Sequence, residues 1–466
     1  MAKKFSRRDF LKGTSLVVAG GVLAACAPQA TATVAPTQAE VKPTEAPAQP
    51  SGGKTITYWH QWGGAYPEKA WPAMMALPEW KEYLGDTTVE VKVPVAEEAL
   101  LTAIAGGTPP DSAANYNYLD YMARGVLRPV DDYVATSKHI KKEDFIEGNW
   151  NLGMYEGKLY GIPACEGFVR YGTNYNKKMV ADAGLDPTKP PETWDEWLDW
   201  HTKLTKFDSA KNLIQIGLDP IDAMGESLWT TDGWLWQTSW NVDNWFDPNT
   251  KKFNLNNDQM VDYFNTTKKF IDVVGIDNLT GLRQVQGQGS WGGSYNAQVQ
   301  AVIIEGYWHP GETFAEKPEV SPLNMATWAP VPASRKGKKI QLAGGHLIMT
   351  FKESKNPDLV YAMTELHNNA KVTDAIFKNV GWLPAIKTYL DSVDPSIFPG
   401  LDFYFKSVKE ANEWHAPVAC PITSFVANTF VEDREKVYRG EMKPEDAAAD
   451  LQKRCEDEYK AAGFGS

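Results

Sequence analysis

The stretch Thr55-Ile56-Thr57-Tyr58-Trp59 follows two glycines and a lysine, and its β-branched and aromatic residues predict a short strand. Downstream, Glu68 to Leu84 reads as helix, interrupted by Pro72 and Pro78, and Thr88 to Val93 alternates as a second strand. Leu100 to Ala105 looks like a helix end closed by Gly106-Gly107, and Pro109-Pro110-Asp111 leads toward a further strand. Strands alternating with helices predict an α/β architecture with largely parallel sheets.

The pattern continues outward from there. Gly157-Lys158-Leu159-Tyr160-Gly161-Ile162-Pro163 reads as a turn into an extended segment. Thr193 looks like an N-cap, with Glu196 three residues later completing a capping box. Trp194, Trp197 and Trp200 then recur at helical spacing, so they read as the buried stripe of an amphipathic helix. Asp247-Pro248-Asn249-Thr250 reads as a turn before a short strand, because Lys251 and Lys252 spoil any calcium-loop reading. Between Phe168 and Gly172, strand alternation would put Phe168, Arg170 and Gly172 on one face and Val169 and Tyr171 on the other.

Composition bounds the function. The 466 residues are 43% hydrophobic and 23% charged, which suits one large or two smaller folded domains. A net charge of −12 argues against nucleic-acid binding, which needs clustered Lys and Arg. The outlier is the aromatic content: 18 Trp, 19 Tyr and 18 Phe must fill cores or line a binding surface.

The first residues read as an address. Lys3, Lys4, Arg7, Arg8 and Lys12 form a basic region ahead of a short apolar stretch, Thr14 to Ala25, too short to span a membrane. Within residues 1–25, Ser6-Arg7-Arg8-Asp9-Phe10-Leu11-Lys12 resembles the twin-arginine export signal. Leu23-Ala24-Ala25-Cys26 resembles a lipobox, which implies that Cys26 is lipidated after cleavage. Residues 26–53 are then a tether: Ala27 to Gly53 holds seven Ala, five Pro and four Thr with no apolar period. Its reach as a flexible coil is about 30 Å. Cleavage removes five basic residues and one acidic one, leaving a chain of charge −16. Cys165, Cys420 and Cys455 have no metal-site spacing and read as buried apolar residues, with a Cys165–Cys420 bridge as the alternative.

From Thr55 onward the order of segments resembles the sugar-type extracellular solute-binding proteins of ABC importers, the group that includes maltose-binding protein. The resemblance rests on Ile56 to His60, Gly107-Thr108-Pro109-Pro110-Asp111, Gly157 to Pro163 and the helix start at Thr193. It continues through Ala301-Val302-Ile303-Ile304-Glu305-Gly306-Tyr307-Trp308, Gly344-Gly345, Gly381-Trp382-Leu383-Pro384-Ala385 and a last helix, Gly440 to Cys455. It implies two α/β lobes joined by three crossings, with the ligand in the cleft between them. One lobe would take 54–164 plus 329–381, the other 165–328 plus 382–466. No cofactor or metal is implied. The partners would be a carbohydrate, membrane permease subunits and, through Cys26, the outer face of the cytoplasmic membrane, for a protein acting as a monomer.

A sugar site needs flat aromatic faces for C–H surfaces and polar side chains for the hydroxyl rim. Trp229, Trp234, Trp236, Trp240 and Trp245 fall within seventeen residues, beside Glu226, Asp232 and Gln237. Trp229 and Trp236 share a helical face and are the candidate platforms, with Glu226 a rim group; core packing is the alternative. The resemblance adds His60, Gln61 and Trp62 after the first strand, and Asn115 and Tyr116 at a matching strand end. It also adds Trp308, which stacks on sugar in the family, with His346 and Trp382. Spacing around Glu166 and Arg170 departs from the family, which leaves open which of the two faces the ligand. No nucleophile-elbow, zincin, P-loop or dinucleotide signature appears. The chain therefore reads as a non-enzymatic binder, the rivals being a secreted glycoside hydrolase and a surface protein that binds carbohydrate without transporting it.

Overall fold

The computed structural model describes residues 54–114, 118–220, 234–242, 244–285, 291 and 293–465. The export signal, Cys26 and the tether lie outside the described residues, as do Asn115, Tyr116, Glu226 and Trp229.

Ten strands make two five-stranded sheets. They are β1 (Thr55–His60), β2 (Thr88–Lys92), β3 (Ser112–Ala114), β4 (Gly161–Pro163), β5 (Gly172–Asn176), β6 (Lys206–Phe207), β7 (Leu213–Leu218), β8 (Gln300–Glu305), β9 (Asn324–Thr327) and β10 (Leu347–Thr350). The first sheet runs β2-β1-β3-β10-β4, the second β9-β5-β8-β7-β6. The helices around them include α1 (Glu97–Ala105), α2 (Tyr118–Ala123), α3 (Glu147–Asn151), α4 (Trp194–Leu204), α5 (Asp258–Val274), α6 (Trp308–Glu316), α7 (Ala370–Val380), α8 (Thr423–Tyr438) and α9 (Pro444–Ala461). The molecule is thus a two-lobed α/β structure, each lobe built on one sheet.

The sheets are mixed rather than largely parallel. β1 runs parallel to β2 and β3, and β8 parallel to β7, while β10 opposes both β3 and β4, and β5 opposes both β8 and β9. Of the reversed strands, β6 is antiparallel to β7 as its hairpin partner, whereas β5 and β10 are the two that follow a crossing from the other lobe. A strand leaving a lobe ends at the cleft like its helix-linked neighbours, whereas one arriving begins there and must run the other way.

Local chemistry explains the elements. Asp111 fixes the end of its proline turn: it accepts from the Thr57 amide (2.9 Å) and hydroxyl (3.0 Å) and from Ser354 (2.7 Å). Proline at the first turns of Trp71–Met75 and Pro78–Leu84 splits the early helical stretch into short pieces without losing a hydrogen bond. The central strand β8 is buried at every residue. The capping box at Thr193 and Glu196 opens α4, and Trp194, Trp197 and Trp200 are its buried side. His201 ties α4 down, its Nδ1 accepting the Leu218 amide at 2.9 Å and its Nε2 lying 3.1 Å from the Phe270 carbonyl. Gly217 permits this close packing, since a Cβ there would sit 2.6 Å from the His201 backbone. Asp247 accepts from the amides of Asn249 and Thr250, closing a turn between the short strands Phe246–Asp247 and Lys252–Phe253. Cys165, Cys420 and Cys455 are buried free thiols, so the alternative bridge is absent.

Candidate functional site

Three crossings meet where the sheets face one another, and backbone hydrogen bonds stitch them together. Ala164 N–H donates to the His346 carbonyl (3.2 Å), His346 N–H to Glu166 (3.0 Å), Arg170 N–H to Leu342 (3.0 Å) and Gly167 N–H to Leu383 (2.8 Å). Asn149 of α3 is buried and donates from Nδ2 to the carbonyls of Gly167, at 2.9 Å, and Gly344. Burial does not separate the two faces expected at 168–172. Phe168, Val169, Arg170, Tyr171 and Gly172 are all buried, because the segment passes between two lobes rather than along a sheet with one solvated face.

Glu166, Arg170 and His346 are brought into one buried group. Arg170 Nη2 lies 3.6 Å from Glu166 Oε2 and 3.2 Å from His346 Nε2, which itself stands 3.3 Å from Glu166. Burial, then the neighbouring Arg170 charge, holds the His346 imidazole well below its usual pKa, so the ring is neutral and accepts Arg170 at Nε2. Its proton then sits on Nδ1, which has no hydrogen-bond partner among the described residues. The Arg170 guanidinium lies 5.3 Å from the centroid of the Trp308 ring. Two glycines make room. A Cβ at Gly344 would fall 2.2 Å from Arg170 Cδ, and one at Gly306 would fall 2.0 Å from the Trp308 ring.

A second group gathers around Trp382, which is fully buried. Tyr66 stacks on it at 5.0 Å, His60 at 5.9 Å, and Trp291 leans on it at 5.2 Å. Trp62, half-buried, meets Trp382 at 6.2 Å and presents itself at 80° to the His346 ring, 4.6 Å away. Trp62 thereby joins the two groups. Its indole nitrogen is buried without a hydrogen-bond partner among the described residues, as is His60 Nε2. Burial, partly offset by contact with the Trp62 backbone, pushes His60 down to about 3. Gln61 is half-buried beside them. Trp382 donates from Nε1 to Glu312 at 2.7 Å. Burial, then the charge of Glu305, raises the Glu312 carboxyl well above the carboxylate range, so it holds the indole as a neutral acid.

Trp236 sits elsewhere. It is buried against Trp245 and Phe430, and Trp240 stacks on Trp194 while donating to Asp262 at 2.7 Å. Tyr66, Trp291 and Glu312 were not singled out from the sequence. The one available signal was for Trp291, set among glycines at 289, 292 and 293; its ring packs on Gly64, whose φ of 63° and close approach both require glycine. Among the described residues no group of His, Cys, Asp or Glu is arranged to hold a metal ion, and no helix is long and apolar enough to cross a membrane. What the site offers is flat aromatic faces beside buried donors and acceptors, the chemistry that suits a ligand with apolar C–H faces and a hydroxyl rim.

A sequence profile described as bacterial extracellular solute-binding protein matches residues 64–366, more than half of the chain. The arabinooligosaccharide-binding protein of Halalkalibacterium halodurans is 30% identical over 137 residues, which is 27% of this chain; the match spans only 28% of that relative's length. Among solved structures, CpMnBP1 with mannotriose bound aligns with a TM-score of 0.73 at 20% identity, covering 86% of this chain and 99% of that one. A substrate-binding protein from Listeria monocytogenes in complex with cycloalternan gives 0.69 at 20% identity over 89% and 100%. The maltose/maltodextrin-binding domain from Bdellovibrio bacteriovorus bound to maltotriose gives 0.68 at 18% over 87% and 100%. At these identities the likeness establishes the two-lobed fold.

Proposed function

Because the chain belongs to the bacterial extracellular solute-binding proteins, we propose that it captures an oligosaccharide between its two lobes and delivers it to an ABC permease. The observation that carries this reading is the meeting of Trp62, Trp308 and Trp382 with Glu166, Arg170 and His346 where the three crossings join. The tryptophans are the platforms, and Glu166, Arg170, His346, His60 and Gln61 supply the rim. Asn115, Tyr116, Glu226 and Trp229 complete the set from outside the described residues, while Trp236 packs the core of its lobe. The lobes divide at 54–164 plus 329–381 and 165–328 plus 382–466. The chain works as a monomer outside the cytoplasm, exported by the twin-arginine route and held at the membrane by lipid on Cys26.

Function is reversible binding: the sugar touches both lobes only when they are closed, so it shifts the population toward the closed form. A thermal-shift and tryptophan-fluorescence screen of mannotriose, maltotriose and arabinotriose tests this. A binder raises Tm by mass action, with no release of reducing ends over time. Trp308→Ala and the half-buried Trp62→Ala should each weaken binding by about tenfold, the worth of one lost aromatic platform. Unchanged affinity in both variants would remove the site, and reducing ends released with time would make the protein a hydrolase.

A further inference from the structure

Away from the crossings, one buried carboxylate spans the two lobes. Asp120 lies on α2, which follows β3 of the first sheet and shares a core with Ala113 and Met349. Helix α8 belongs to the other body: it packs on α9 and on α5, which covers β7 of the second sheet. The two helices touch. Asp120 is 5% exposed and accepts hydrogen bonds from the Ser424 hydroxyl and backbone N–H, in the first turn of α8. That 16-residue helix receives no side-chain cap from its own N-cap residue, Ile422. A side chain of one lobe thus caps a helix of the other. Asp120 Oδ1 is buried with no hydrogen-bond partner among the described residues.

We propose that the Asp120–Ser424 contact is a proton-coupled latch that favours the closed arrangement of the lobes in acid and weakens it in base. The inference rests on the two-lobe capture reading above. Separation of α2 from α8 returns Asp120 to water as an ordinary carboxylate; closure buries it, and the capping bonds offset only part of the desolvation. Other charges face the same place. Glu97 of α1 opposes ionisation and itself accepts from Tyr121 at 3.0 Å. Arg124, one turn along from Asp120, favours ionisation, and the Cys420 thiol precedes α8. Burial dominates and raises the Asp120 carboxyl from 3.8 to about 7. A group whose pKa rises on closure supports the closed form fully below its ordinary value, and that support is lost as pH climbs through the raised value. The working window is pH 4 to 7, and closure takes up a proton within it.

Two measurements on the full chain test the latch. Small-angle scattering of the unliganded protein should show a smaller radius of gyration at pH 5 than at pH 8, and Asp120→Asn, an uncharged isostere, should abolish the difference. For whichever trisaccharide of the panel binds, wild-type affinity should fall by roughly a factor of ten to a hundred between pH 5 and pH 8. Asp120→Asn should be flat over that range. Ser424→Ala, which removes the hydroxyl bond that favours the charged form and keeps the backbone one, should move the midpoint to higher pH. An Asp120→Asn protein with the wild-type slope in both measurements, or a wild type insensitive to pH in both, overturns the latch. A pH-dependent radius without binding of any panel sugar would keep the latch and remove the carbohydrate reading.

Discussion

Two sets of tryptophans overlap in burial and live in different company. On α4, Trp194 stacks on Trp240 and meets Phe270 edge-on, and Trp197 and Trp200 pack on each other and on Tyr175. At the crossings, Trp308 lies beside an arginine, Trp62 beside a neutral histidine, and Trp382 donates to a buried acid. Trp197 and Trp382 are both 0% exposed, so burial does not separate the sets. Their neighbours do. Putting Glu166, Arg170, His346 and Glu312 out of water carries a desolvation cost that a purely structural cluster of rings avoids. The difference teaches that in a chain this rich in Trp, the chemistry around an indole separates a proposed platform from a core ring better than the indole itself does.

The comparison breaks most easily at its structural half. Trp197→Ala removes a fully buried ring from α4 and should cost about 3–5 kcal/mol of stability, read as a lowered denaturation midpoint. Sugar affinity of the protein that remains folded should not change. A weakened affinity would mean that the two sets are coupled and the division is false. The other half is tested by Gly344→Ala. A Cβ there would meet Arg170 Cδ at 2.2 Å, so the arginine must leave its place beside Trp308. Overpacking of this kind costs about 1–3 kcal/mol. Affinity should fall with it by about tenfold, in the range of one desolvated cation–aromatic contact. A fall in stability with unchanged affinity would take Arg170 out of the binding group and leave it a hinge residue.

The two sets also differed in how far they could be read from the chain. Trp194, Trp197 and Trp200 were legible because helical spacing behind a capping box is a local signal, written within eight residues. His60 and Trp308 came from the family resemblance, and each lies at or just beyond the end of a strand, where in a two-lobed α/β structure the cleft opens. Glu312 was not. It is an ordinary helical glutamate until Trp382, 70 residues away, donates to it. Tyr66 and Trp291 join the same group only through tertiary packing. Trp236 falls in a π-helical turn, Trp234–Ser239, where its ring packs on Trp245 and Phe430, a placement no helical period in the sequence announces. The direction of β5 and β10 escaped for a related reason. Their residues say strand, but only the route of the crossings says which way the strand runs.

The smallest expected effect tests whether the crossings respond to changes at their margins. Thr193 caps α4, accepting the Glu196 amide at 3.3 Å, while Glu196 accepts the Thr193 amide at 3.0 Å. Glu196 also takes Lys336 at 2.6 Å, and Lys336 lies on the second crossing between β9 and β10. Hydrogen bonding from Lys336, then from the amides of Glu192 and Thr193, holds the Glu196 carboxyl down at about 2. Its support is therefore present above the ordinary carboxylate range and lost as pH falls toward 2, and solvent screening keeps it small at this exposed position. Thr193→Ala should cost about 1 kcal/mol of stability, visible in chemical denaturation at neutral pH. Sugar affinity should stay within error of wild type, because the bonds that tie the helix start to the crossing, Trp194 N–H to the Val331 carbonyl at 3.0 Å and Val331 N–H to the Glu192 carbonyl at 3.2 Å, are backbone bonds that do not use the Thr193 side chain. Weaker binding in Thr193→Ala would show that α4 steers the second crossing, and the boundary between the structural tryptophans and the binding ones would then have to be drawn closer to the cleft.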